Sequence, residues 1–274
     1  MMRTANRPGS MLTELVVVML VMGVIGAAIT GLLVTQSRFF NDQEGQAAAR
    51  RVARAGTSML FADLRMVENG GIVAAVPDSF TILVPYAWGV SCGPAGGRTI
   101  ATMQPVDSVM LAEAGYSGWA YMDSTNAVNY ITPGGTLGAG TASTCTGQGV
   151  DPIAPGRVIS IVGTPAGANP GSPLFLVQKL TYKLRPSVVV PTQLGLFRTI
   201  VDRNLTEELA GPLDSTATFR YFVSPAGAPV TNPSPVTSVT GIQLELVGFN
   251  ERAGIAQGQT QRAPLLTSVF FENR

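Results

Sequence analysis

The chain has 274 residues, with 18 Lys and Arg against 17 Asp and Glu, no His and two Cys. Charged residues make up only 13%, Gly and Pro number 31 and 19, and a net charge of +1 gives no bulk attraction to nucleic acid, so direct nucleic-acid binding is not expected. The lack of His excludes a Ser-His-Asp triad, a Cys-His pair and a His-ligated zinc within the chain, and neither lysine, Lys179 or Lys183, ends a GxxxxGK[ST] phosphate loop. No enzyme, catalytic residue, cofactor or metal site is expected.

The N-terminal segment carries the most information. Met1 to Gly9 (MMRTANRPG) is short and basic, Ser10-Met11-Leu12-Thr13-Glu14 follows, and Leu15 to Val34 contains no charge. Twenty apolar residues at about 1.5 Å each form a helix of about 30 Å, the thickness of a bilayer's hydrocarbon core. A secretory signal would place its small-residue cleavage site after the apolar run, whereas Gly9-Ser10 lies before it. Cutting there removes Arg3 and Arg7 and keeps the helix, leaving 16 basic against 17 acidic side chains and a net charge of −1. The remaining carboxylate, Glu14, would cost about 2.5 to 3.5 kcal/mol at the bilayer centre and so needs a partner. A freshly cut α-amino group on a neighbouring copy is a suitable one.

These residues resemble type IV pilin-like proteins, whose prepilin leader ends in Gly and whose mature chain carries Glu as its fifth residue. Gly9 and Glu14 match those positions, Leu12 matches the usual apolar third residue, and Ser10 stands where the family commonly has Phe. The resemblance implies cleavage between Gly9 and Ser10 by a prepilin peptidase, N-methylation of Ser10 and a role for Glu14 in assembly. Many members carry Pro within the apolar segment; here Gly23, Gly26 and Gly31 occupy that region.

From Thr35 to Glu68 there is no Pro, so a helix from Met11 to about Glu68 is predicted, stopped by Asn69-Gly70-Gly71. Ala48, Val52, Ala55, Met59, Ala62 and Met66 follow spacings of four and three and are predicted to form the face that lies against a sheet. Arg50, Arg51 and Arg54 read as a solvated face or as contacts to a neighbouring subunit.

Beyond the stem, Leu180, Tyr182 and Leu184, then Ile242, Leu244 and Leu246, alternate with polar residues as in half-buried strands. Further strands are predicted at Phe80 to Tyr86, Val106 to Leu111, Arg157 to Val162, Leu194 to Val201, Thr218 to Val223 and Leu265 to Phe271. One long helix followed by consecutive strands gives an α+β fold with an antiparallel sheet. The resulting organisation is a leader (1–9), a transmembrane and assembly helix (10–34), an amphipathic stem (35–69) and a β-rich head (70–274), with a Gly, Ser, Thr and Ala-rich loop insertion at about 88–151.

Cys92 and Cys145 bracket that insertion and read as one disulfide of an exported head, or as two unpaired thiols. Asp202, Asn204, Glu207 and Glu208 read as a polar strand-end turn or as oxygen ligands for calcium. Asn204-Leu205-Thr206 is a glycosylation sequon by pattern. Tyr116, Trp119, Tyr121 and Tyr130 either pack the insertion on itself or form an exposed recognition patch.

The runs KLTYKL (179–184), GLFRTIV (195–201), TFRYFV (218–223), VTGIQLELVGF (239–249) and LTSVFFENR (266–274), with MLFADLRM (59–66) in the stem, look like the corresponding parts of W-type minor pilins and J-type pseudopilins. The resemblance implies a pilin-like fold and a minor subunit of a pilus or pseudopilus, or of its tip-priming complex. Its implied partners are the prepilin peptidase, other minor and major pilins or pseudopilins, membrane lipid, and the inner-membrane assembly platform with its ATPase. Its implied location is the inner membrane, with the head in the periplasm or exterior, and then the filament. The alternative is an exported adhesin or cargo-binding module anchored by a single N-terminal helix.

Overall fold

The computed structural model describes residues 10–132, 134–224, 226–249 and 262–271. Its first element, α1 (Ser10–Leu64), is one unbroken helix of 55 residues, about 80 Å long. It closes through tightened bonds, Met66 N–H to Asp63 O and Val67 N–H to Leu64 O. The turn after it is closed by the Gly71 N–H on Glu68 O, with Gly70 at φ +85°. The helix was legible because nothing in this stretch interrupts helical backbone, but it ends at Leu64, four residues short of the predicted Glu68.

The strands follow as β1 (Ile72–Val76), β2 (Ser79–Ala95) and β3 (Arg98–Met103), then α2 (Pro105–Glu113), β4 (Gly118–Met122), β5 (Val128–Ile131) and β6 (Gly138–Ala139). After the short α3 (Ala142–Thr146) come β7 (Val158–Val162), β8 (Pro173–Pro186), β9 (Leu194–Ile200), β10 (Leu205–Leu213), β11 (Thr218–Phe222), β12 (Gly241–Phe249) and β13 (Arg262–Phe270). All pair antiparallel in one sheet, in the order β11-β12-β10-β9-β8-β2-β3-β7-β6, with β1 on β2, β13 on β12, and β4 between β5 and β8. The architecture is α+β, as expected.

The two longest strands, β2 and β8, pair from Ser79–Lys183 to Val90–Pro173 and form a spine shared by two halves. In the stem-bearing half, α1 lies on β10, β12 and β13 over a core that includes Leu60, Leu64, Phe80, Tyr182, Phe219, Tyr221 and Leu244. In the other half, β3, β7, β4 and β5 gather a second core around Met103, Trp119, Ile161, Leu174 and Leu176. Segment 88–151 therefore is not a loop insertion. It supplies β3, α2, β4, β5 and α3, and its buried Trp119 donates Nε1–H to Val162 O at 3.0 Å.

Val106 to Leu111, predicted as a strand, is helical. Pro105 sits at the start of α2 with its φ already suited to a helix, and Asp107 lies in the first turn, where a carboxylate favours the helix N-terminus. The stem face also differs from the prediction: Ala55, Met59, Ala62 and Met66 are exposed, and the buried row is Ala49, Gly56, Leu60, Asp63, Leu64 and Val67.

Candidate functional site

Residues 12–41 of α1 are exposed on every side, and among the described residues this is the one helix long and apolar enough to cross a membrane. A helix that is apolar all round has no preferred face for a single core, so it requires an apolar solvent or a bundle of like helices. Two of its hydroxyls are satisfied within the helix: Thr30 Oγ1 donates to Gly26 O at 2.8 Å and Thr35 Oγ1 to Gly31 O at 2.9 Å. A Cβ added at Gly23, Gly26 or Gly31 would meet nothing within 4 Å, so their small size answers to no contact within this chain. Glu14 is exposed, is the only charged residue between Ser10 and Arg38, and lies one helical turn after Ser10. Gly9 lies outside the described residues, and Ser10 is the first residue of the helix.

The second part of α1 is seated by close approach and by charge. A Cβ on Gly248 would lie 2.1 Å from Ala49 O, and one on Gly56 would lie 2.8 Å from the Ala210 Cβ, so backbone meets sheet at both points. Further along, the Asp63 carboxylate accepts the Tyr182 hydroxyl and faces Arg198 Nη1 at 3.3 Å. Arg198 in turn donates Nε–H to Glu207 at 2.8 Å. Burial, with the Asp63 carboxylate beside it, holds the Tyr182 phenol protonated far above the ordinary tyrosine range. The stem thus crosses the sheet from β12 over β10 and β9 to β8, and its end is held by Tyr130, whose hydroxyl accepts the Glu68 N–H at 3.2 Å. Burial pushes the Tyr130 pKa up to about 12.

Cys92 and Cys145 are both fully buried and form a disulfide that fixes α3 against β2 and β3. Trp119 and Tyr121 are buried in the second core, while Tyr116 and Tyr130 are half-buried and packed, so the four aromatics do not form one exposed patch. The carboxylates at the β9–β10 turn are engaged separately. Asp202 accepts from Ser117 Oγ, Glu207 from Arg198, and Glu208 Oε2 from the Val188 N–H at 2.9 Å. Among the described residues no group of three or more His, Cys, Asp and Glu could hold a metal ion.

Sequence reasoning missed Asp63, Arg198, Glu207 and Tyr182 as a set. The signal was one carboxylate within the apolar run MLFADLRM, which reads as solvated until the sheet brings Arg198 to it. Compared with protein-family models, with curated proteins and with solved structures, the chain matches none of them.

Proposed function

We propose that this chain is a minor type IV pilin or pseudopilin, a structural subunit cut between Gly9 and Ser10, methylated on Ser10, and assembled into a pilus, a pseudopilus or its tip-priming complex. One observation carries the reading. A single unbroken helix is apolar and bare on all sides from residue 12 to 34 except at Glu14, and the same helix then seats on an antiparallel sheet. An ordinary membrane anchor needs neither rigid continuity with its head nor an acid at the mouth of the span.

On this reading Leu15 to Val34 stores the subunit in the inner membrane with the head on the exported side, and an assembly platform with its ATPase extracts it into the filament. Glu14 pairs with a neighbour's α-amino group, which offsets part of the cost of a carboxylate among apolar helices and sets axial register. Glu14→Gln and Glu14→Ala are expected to insert into the membrane normally and to be lost from sheared filaments or from cross-linked subunit complexes. Normal incorporation of both would remove the pairing role.

The adhesin or cargo-binding reading rests on one surface observation: Trp88, Val106, Val109 and Met110 are exposed together where α2 lies on β2. Deleting segment 88–151 does not test it, because that removes core strands. Val106→Asp with Val109→Asp leaves the cores intact and should abolish ligand capture while sparing assembly.

A further inference from the structure

We propose that Asn204 is an N-glycosylation site that accepts an oligosaccharide from a polyprenyl-diphosphate donor. Asn204-Leu205-Thr206 is the only Asn-x-Ser/Thr in the sequence without Pro at x; Asn232-Pro233-Ser234 has the same spacing, but its proline blocks it. Asp202 places a carboxylate two residues before the asparagine.

The fold presents this stretch rather than burying it. Residues 201–207 are exposed without a break, and Asn204 closes the 3₁₀ turn Val201–Arg203 in the left-handed region (φ 50°, ψ 33°) at the apex of the β9–β10 hairpin. Asn is among the few side chains that sit there readily. Its side-chain amide makes no hydrogen bond to the described residues, and Thr206 Oγ1 lies 2.9 Å from Thr199 Oγ1 on the same exposed ladder. Leu205–Ile200 and Thr206–Thr199 are the last rungs of the β9–β10 ladder, so extending the sequon into a transferase opens a hairpin end and releases the Ser117 Oγ–Asp202 hydrogen bond. The stem passes Gly248 at Ala49 and Arg198 at Asp63, which puts the apex at the far end from Leu15–Val34, about 40 Å of helix away.

In the transfer, Asn204 Nδ2 attacks the anomeric carbon and the new C–N bond forms as the sugar–diphosphate C–O bond breaks. Polyprenyl diphosphate leaves, and the amide gives one proton to the transferase's base.

The assignment rests on the head being exported, so the test reads both. Full-length chain purified from its own host's membranes is digested without reduction and mapped by mass spectrometry. The expected result is a Cys92–Cys145 cross-linked peptide together with an Asn204 peptide heavier by a glycan and yielding sugar fragment ions. The added mass should vanish in Asn204→Asp, which tolerates the same backbone, and in Thr206→Val, while the Asn232 peptide stays unmodified in all. An Asn204 peptide at its bare amino-acid mass beside an oxidised disulfide overturns the glycosylation site alone. Bare mass beside reduced cysteines overturns export and the site with it.

Discussion

The two halves of the sheet reach stability by different routes. The stem-bearing half is organised around one helix crossing strands that are consecutive or nearly so, with Leu60, Leu64, Tyr182 and Leu244 as its core. The other half is woven from short pieces: β3 and β7 are separated by some fifty residues, β4 reaches across to β8, and the Cys92–Cys145 bond ties α3 down. The first half is specified by local periodicity and the second by long-range closure. A region of the second kind gains most from a covalent tie, because its loops cost the most entropy to close.

Removing that tie should give the largest effect and should separate the halves. Cys92→Ala with Cys145→Ala closes no loop of separation 53, a loss of about 4 kcal/mol in the chain-entropy account. Hydrogen exchange on the detergent-solubilised chain should show the loss concentrated in β3, β4 and β7, with β9–β12 retaining protection. Equal loss in both halves would erase the distinction.

A second comparison sharpens the seating of the stem. Leu60 is fully buried and Met59 is 51% exposed, although they are neighbours. Leu60→Ala should cost about 3 kcal/mol in denaturant unfolding, and Met59→Ala less than about 0.5 kcal/mol. The reverse order would restore the face predicted from the Ala and Met spacing. Asp63→Asn, which leaves Arg198 with Glu207 alone and changes the partner of Tyr182, should cost about 2 kcal/mol and loosen the stem end without touching the second core.

The smallest effect is confined to the β4–β5 turn. Hydrogen bonds from Thr125 and Asn129 hold the Asp123 carboxyl down at about 2, against an ordinary 3.8. A depressed folded-state pKa means the contribution is fully present above pH 3.8 and is lost as pH falls toward 2. Amide exchange of Thr125 and Ala127, which both donate to Asp123, should accelerate across that window while the stem-bearing half does not respond.

What could be read from the sequence follows this division only in part: β7 in the second half was predicted, at Arg157 to Val162, and β10 in the first was not. The long helix, β8, β9, β11, β12 and β13 were legible because the helix has no breaker and the strands alternate. β3, β4, β5 and β10 were not: β10 contains Gly211-Pro212, and β4 (GWAYM) is buried along most of its length, so neither shows a clean period of two. The stem face was misplaced for a physical reason. Its true seat uses Gly56 and Asp63, residues that no hydrophobic stripe includes, because one permits backbone contact and the other finds Arg198 only in the folded sheet. At the N-terminus, the role proposed for Gly9, Ser10 and Glu14 rests on the sequence pattern alone.

The central claim is therefore tested most directly by intact mass and N-terminal sequencing of the protein from membranes with and without a prepilin peptidase. The account predicts a chain beginning at Ser10, heavier by one methyl group, only where the peptidase is present. A chain still beginning at Met1 in both backgrounds would contradict it.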